Sequence, residues 1–419
     1  MSSPQSCARR FGALAIAVAV TVAVGSTVAA GPAGAGRATP AAGPAAQIRN
    51  AGGSTAIADS YLVVLRAGTA ARAAVDRAAA DLTGRYGGTI GYRYTSAVRG
   101  FSVAATATQA RRIAADPAVA FVEQDHRVAL DDTQLNPPNW GLDRIDQREL
   151  PLDTSYTYPS GGGTGVRGYV VDTGIRLSHQ DFDGRAVTGV DLVDGGAADD
   201  CNGHGTHVAG TLGGTTLGVA KRATLVAVRV FDCIGAGNVS RVVAAVDWIT
   251  ANAVKPAVVV MSLGYVAGTG DPSGALESAV SSSIGTGITY AVSAGNDNGD
   301  ACTKVPARVA AAITVAASEK DDGTWPSSNE GPCVDLFAPG ENIASAGHES
   351  DTQVWGRSGT SMAAPHVAGA AALVLAAHPT WSPAQVRDRI VGQATPDTLD
   401  WVGPDTANLL LYVGPGLTG

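Results

Sequence analysis

The chain has 419 residues, 45% hydrophobic and 16% charged, with a formal charge of -8 and a sequence pI near 5.3. That balance suits two or three folded domains and excludes a disordered chain. Without any basic run, it gives no support to a nucleic-acid partner, although an acidic surface suits cations.

Residues 1–30 read as an export signal: Arg9 and Arg10, an apolar stretch from Phe11 to Val24, then Val28-Ala29-Ala30 as a small-residue cleavage site. The apolar stretch is shorter than the roughly 20 residues a membrane span needs, so a secreted, extracellular protein without a membrane anchor is expected, and it is expected to be a monomer. Cys7 would leave with the signal. Four cysteines then remain, Cys201, Cys233, Cys302 and Cys333. An even number in an exported chain favours disulfides, with three connectivities open, and the close spacing typical of zinc ligands is missing.

Residues 31–58 form an Ala/Gly/Pro-rich linker, expected to lack fixed structure, and residues 59–131 form a small domain. Its expected elements are a strand at Tyr61–Leu65, a helix from a Thr69 cap to Leu82, and strands at Thr89–Tyr94 and Val98–Ala104. A helix from Thr108 to Ala115 and a strand from Val119 to Glu123 complete it. The order βαββαβ implies a ferredoxin-like α+β unit. Over 132–413 short apolar runs alternate with helical stretches. Strands are expected at Val166–Val171, Ala223–Val230, Ala257–Met261, Ile288–Val292 and Ile313–Ala316. Helices are expected at Gly205–Gly213, Ser240–Ala253, Gly274–Thr286 and Val367–Ala377. Uniformly apolar strands alternating with helices imply an α/β fold with a parallel sheet covered on both faces. Residues 414–419 read as a tail.

Three islands carry the chemistry. Asp172 ends an apolar strand in Val170-Val171-Asp172-Thr173-Gly174. His204 stands between glycines in Asn202-Gly203-His204-Gly205-Thr206-His207. Ser361 opens a helix in Ser358-Gly359-Thr360-Ser361-Met362-Ala363-Ala364-Pro365. A serine hydroxyl is inert at neutral pH, so it needs an imidazole to take its proton and a carboxylate to orient and charge-balance that imidazole. A serine at a helix start also has free backbone N–H groups for developing oxyanion charge. His207 and His366 are assigned to structure, and the Gly-x-Ser-x-Gly elbow of α/β-hydrolase esterases is absent around Ser361.

The chain order Asp, His, Ser resembles that of the subtilases, and with Trp140 to Gln147 the likeness points to their proteinase K and aqualysin branch. The small domain resembles the inhibitor-type propeptide that precedes these peptidases. The resemblance implies a serine endopeptidase made as a self-processing zymogen, cut near Leu130 to Thr133, whose partners are peptide substrates and its own propeptide. It implies Asn296 as an oxyanion donor and pairs Cys201–Cys233 and Cys302–Cys333. Ser262-Leu263-Gly264 and Ser293-Ala294-Gly295 resemble the walls of a substrate cleft, with Gly235 and Gly237 on a neighbouring edge. No obvious charge stands in those walls, so a broad or apolar preference is expected, with Tyr265 narrowing the cleft. Structural Ca²⁺ is implied at Asp335 with the carbonyls of Ala310 and Ala312, and at Asp143, Asp146 and Gln147 beside Asp153. No organic cofactor is expected.

Overall fold

The computed structural model describes residues 47–52, 56–66, 72–126, 131–267 and 274–418. The export signal, most of the linker and the Thr69 cap lie outside the described residues.

The N-terminal unit has the expected order: β1 (Ala56–Leu65), α1 (Arg72–Tyr86), β2 (Thr89–Tyr94), β3 (Gly100–Ala104), α2 (Ala107–Ala114) and β4 (Val119–His126). The strands form one antiparallel sheet in the order β2-β3-β1-β4. Alternation drives it: Val63, Leu65, Phe101, Val103 and Val122 turn to one face and bury against Val75, Leu82 and Ile113 of the two helices. α2 starts where Thr106 and Gln109 form a capping box. Order reaches back further than the linker reading through Ala58 allows. Ile48 packs on this core. The Arg49 N–H donates to the Val122 carbonyl at 2.9 Å, and its guanidinium lies 4.0 Å over the Phe121 ring. Short local composition hid these contacts, because their partners lie some 70 residues away.

The larger unit opens with β5 (Asp131–Leu135), α3 (Trp140–Ile145) and β6 (Ser155–Pro159), β5 and β6 pairing antiparallel. Then follow β7 (Arg167–Asp172), β8 (Ala186–Asp191), α4 (His204–Gly213), β9 (Thr224–Arg229), α5 (Val239–Asn252) and β10 (Ala257–Met261). Next come β11 (Tyr265–Val266), α6 (Ala275–Gly285), β12 (Thr289–Ser293), β13 (Lys304–Val305), β14 (Ile313–Ser318) and β15 (Leu336–Pro339). The chain closes with β16 (Ile343–Ala346), β17 (Val354–Arg357), α7 (Thr360–Ala377), α8 (Pro383–Gln393), β18 (Thr395–Pro396) and β19 (Leu409–Leu410).

The central sheet runs β18-β19-β15-β14-β12-β10-β7-β9-β8, parallel except for the β18–β19 edge. Every residue of β10, β12 and β14 is buried, as continuous apolar strands require. Val170, Val258, Val260 and Ala291 face α4, α7 and α8. Val171, Val228, Val259 and Val292 face α5 and α6. The α7 helix is long and apolar enough to cross a membrane by length and composition alone, yet 83% of it is buried inside the protein. Its apolar stretch therefore fills the core. The expected tail after Val413 also belongs to this core: Leu417 is fully buried, and the Thr418 carbonyl accepts from His378 Nε2 at 3.2 Å.

Candidate active site

β7 delivers Asp172 at the carboxyl edge of the sheet, where open α/β sheets place their sites. Asp172 is fully buried; its Oδ1 accepts from the Thr173 N–H at 2.7 Å. His204 Nδ1 donates to its two oxygens at 2.8 and 2.9 Å. The close approach depends on Gly205, because a Cβ there would lie 2.2 Å from the Gly174 carbonyl oxygen. Burial works against the imidazolium, but the Asp172 charge and hydrogen bond outweigh it, so the His204 pKa stands above the usual imidazole value.

Asp200 holds this arrangement and was missed in the sequence. Its Oδ1 accepts from the N–H groups of Asn202 and Gly203 and from the Thr173 hydroxyl, each at 2.9 Å. Its Oδ2 accepts from the Thr206 N–H at 2.9 Å and the Thr206 hydroxyl at 2.6 Å. A buried carboxylate thus sits at the positive end of α4 and ties it to the turn after Asp172. An Asp four residues ahead of the helix was the available signal. The Cys201–Cys233 disulfide fastens the same loop, and Cys302–Cys333 fastens the far side of the cleft. Both pairs are those the resemblance implied.

Ser361 is the second residue of α7, so its backbone N–H lies in the first turn, which has no intrahelical acceptor. In this structure its hydroxyl donates to the Ser262 carbonyl at 3.3 Å, while the Ser262 hydroxyl donates to the Ser361 carbonyl at 2.8 Å. Asn296 is oriented by Thr360, whose N–H and hydroxyl donate to Asn296 Oδ1 at 2.9 and 2.8 Å. With its oxygen occupied, the Asn296 side chain offers its NH₂ as the free end. Buried Asn329 sets the loop: its Nδ2 donates to the Ala294 carbonyl at 3.0 Å, and its Oδ1 accepts from Asp297 N–H at 2.9 Å. Thr360 and Asn329 carry no motif of their own, and only long-range contacts reveal them.

His207 and His366 hold structural hydrogen bonds. His207 Nε2 donates to the Ile343 carbonyl at 2.9 Å, and burial pushes its pKa down to about 3. His366 donates from Nδ1 to the Met362 carbonyl at 2.8 Å, and burial takes its pKa to about 4. Both are neutral framework groups.

A cavity of about 250 Å³ opens beside Ser361. Ser262, Leu263, Gly264, Ser293 and Gly295, which the resemblance assigned to the cleft walls, line it together with Asn296. Ala294 lies buried behind it, its N–H given to the Val315 carbonyl at 3.0 Å. Tyr265 stands on β11 with 37% of its surface exposed. Gly235 and Gly237 belong to a separate turn next to the Cys233 bridge and do not line this cavity. The expectation of uncharged walls fails here: Asp297 and Lys304 also line the cavity and form an ion pair. Lys304 lies eight residues beyond Asn296, and nothing local marks it as part of the wall.

Of the expected calcium ligands, Asp335 does not fit a cation as arranged. One oxygen is paired with the Arg387 guanidinium and the other accepts the Thr314 N–H at 2.8 Å. The second set differs, because Asp146 Oδ1 is buried with no hydrogen-bond partner. Asp143 accepts the Asp153 and Thr154 N–H groups at 3.1 and 3.0 Å, and Gln147 Oε1 accepts the Asp153 N–H at 3.1 Å. Among the described residues, no group of three or more His, Cys, Asp or Glu side chains is gathered tightly enough to hold a metal unaided.

A buried carboxylate on an imidazole, a serine at a helix start and an oriented amide, all at the carboxyl edge of a parallel sheet, define the class of serine hydrolases. The family model of the subtilases matches residues 163–410, and that of the I9 peptidase inhibitors matches residues 60–131. An extracellular serine proteinase of Thermus sp. (strain Rt41A) is 54% identical over 320 residues, which cover 76% of this chain and 76% of that one. Alkaline serine exoprotease A of Vibrio alginolyticus is 44% identical over 375 residues, 85% of this chain and 68% of that one. The crystal structure of a cold adapted subtilisin-like serine proteinase superposes with a TM-score of 0.62 at 47% identity, covering 65% of this chain and 97% of that one. The chain belongs to the subtilase family and is a serine peptidase with an I9-type propeptide.

Proposed function

We propose that the protein is a secreted, monomeric endopeptidase that cuts peptide bonds with Ser361, His204 and Asp172 and carries its own inhibitor in residues 59–131. The observation that carries the reading is the clasp of His204 Nδ1 by both oxygens of fully buried Asp172. It fixes the tautomer with a proton on Nδ1 and leaves Nε2 to accept the Ser361 proton. The serine oxygen then attacks the peptide carbonyl. The Asn296 NH₂ and the Ser361 N–H stabilise the oxyanion. His204 gives its proton to the leaving amine, and water, deprotonated by the same nitrogen, releases the acyl group. In this reading the Ser361 hydroxyl leaves the Ser262 carbonyl, to which it donates here, and gives its proton to His204.

The first substrate is the chain itself, cut near Leu130 to Thr133. Residues 131–135 pair with β6 here. A structural Ca²⁺ would be held at Asp146 with Gln147 beside Asp143; the support is the one buried Asp146 oxygen without a hydrogen-bond partner, since Asp143 and Gln147 already accept N–H groups. Its part is structural, a crosslink between α3 and the loop at Asp153.

The test is expression of the full chain with and without Ser361→Ala. The native sequence should mature, hydrolyse casein and be labelled at Ser361 by a serine-directed covalent inhibitor, while the variant stays as uncut precursor. Normal maturation of Ser361→Ala in a protease-free host would overturn the reading.

A further inference from the structure

The pair in the cleft wall is unequal. Lys304 has a side chain only 14% exposed, whereas its partner Asp297 is 61% exposed. The lysine therefore lies at the inner side of the cavity and the aspartate at its watered rim. Its backbone is pinned on several sides. Lys304 pairs with Val266 across β11 and β13, and its N–H is given to the Ala301 carbonyl. Its carbonyl accepts the Arg308 N–H at 3.0 Å, and Cys302, two residues earlier, is bridged to Cys333. Gly295, with φ at +107°, leaves the approach to its methylenes bare: a Cβ there would stand 3.3 Å from Lys304 Cε and 2.4 Å from Asn329 Nδ2. The remaining lining groups are neutral serines, glycines, a leucine and Asn296.

We propose that Lys304 makes this cavity a side-chain pocket for the residue before the scissile bond that selects glutamate, accepts glutamine and rejects lysine and arginine. This rests on the peptidase reading above. A substrate side chain entering the cavity displaces water from the inner ammonium first. A cationic side chain meets that ammonium at short range in a poorly screened space, and reaching Asp297 instead means breaking the existing pair. A glutamate brings a second carboxylate to the three-donor ammonium while exposed Asp297 keeps its hydration. An aliphatic side chain gains apolar contact only with the lysine stem and Leu263, and it strips water from the pair.

Active enzyme from the full chain is assayed on one quenched-fluorescent peptide series with Glu, Gln, Leu, Phe, Lys or Arg before the scissile bond. The expected order in kcat/KM puts Glu first and Lys and Arg lower by about tenfold or more. Lys304→Met should reverse the order, with Leu and Phe gaining and Glu falling about tenfold or more. Asp297→Asn, which leaves the ammonium without its counter-ion, should raise Glu and depress Lys further. A native enzyme that prefers Leu or Phe, with a ranking that neither variant changes, overturns the proposal while leaving the peptidase reading intact. If no peptide is cut and Ser361 takes up no covalent inhibitor, the peptidase reading itself fails and the proposal falls with it.

Discussion

The two sheets of this molecule solve the burial problem differently. The propeptide sheet is antiparallel and buries one face, gathering 13 core residues among the described ones. The peptidase sheet is parallel, apart from its β18–β19 edge, and buries both faces, with clusters of 45 and 21 among the described residues. The propeptide pairs strands within about 70 residues of chain, so loss of a single core group threatens the whole unit. In the peptidase the packing is deep enough that the carboxyl edge of the sheet can spend polar residues on chemistry. Asp172, Asp200 and Asn329 are buried there in service of geometry, each supplied with hydrogen bonds rather than left bare.

The sharpest break between the two units is Asp172→Asn. It should lower kcat by about 10⁴, the size associated with loss of the correct imidazole tautomer, while leaving the propeptide untouched. The pH profile gives a second reading. As the proposed base, His204 must be neutral, so activity should be lost as pH falls through its pKa, which Asp172 holds above the ordinary value near 6.5. The native acidic limb should therefore lie above about 6.5, and the residual limb of the variant below it, since burial alone lowers an imidazole. A limb that does not move would disconnect the carboxylate from the base.

Next in size is the oxyanion side. Asn296→Ala should cost about 10²–10³ in kcat with KM little changed, the range known for a subtilisin donor of this kind. Thr360→Val, which removes one of the two donors holding Asn296 Oδ1, should cost less but in the same parameter. An effect on KM alone would place Asn296 in substrate binding instead.

Core truncations test the comparison itself. Leu82 in the propeptide and Leu212 in the peptidase are both fully buried. Either change to Ala should cost about 2–5 kcal/mol. For the propeptide that loss rivals its whole stability, so L82A should melt the isolated propeptide at room temperature. The L212A peptidase should keep a cooperative transition at a lower temperature. Calorimetry on the two separated units decides it, and equal tolerance would erase the contrast.

How much of this was legible follows the range of the interactions. β10 and β12 read directly, because a strand buried on both faces is a local apolar run. His204 and Ser361 also read directly, since their glycine neighbours and helix starts are local. Asp200, Thr360 and Asn329 did not, because each acts on a group that another part of the chain supplies. Lys304 was hidden for the same reason: its role comes from the β11–β13 pairing and from Asp297, and a lone lysine after a cysteine suggests a solvated loop. The misread linker end and tail, at Arg49 and Leu417, likewise depended on partners far along the chain.

The smallest expected effect belongs to an exposed ion pair of the propeptide, set against a buried one of the peptidase. In the propeptide Arg93 pairs with Asp76 at 2.9 Å, both side chains 44% exposed. Water and salt screen such a pair, so Arg93→Ala should change stability by no more than about 1 kcal/mol. In the peptidase Arg144 is fully buried and grips Asp322 with two hydrogen bonds, at 2.6 and 3.1 Å. Arg144→Ala strands a largely buried carboxylate, and the cost there should reach about 3–5 kcal/mol. Urea denaturation of each unit, at low and at high salt, measures both. The propeptide difference should vanish with salt and the peptidase difference should persist, because only the exposed pair shares its field with mobile ions.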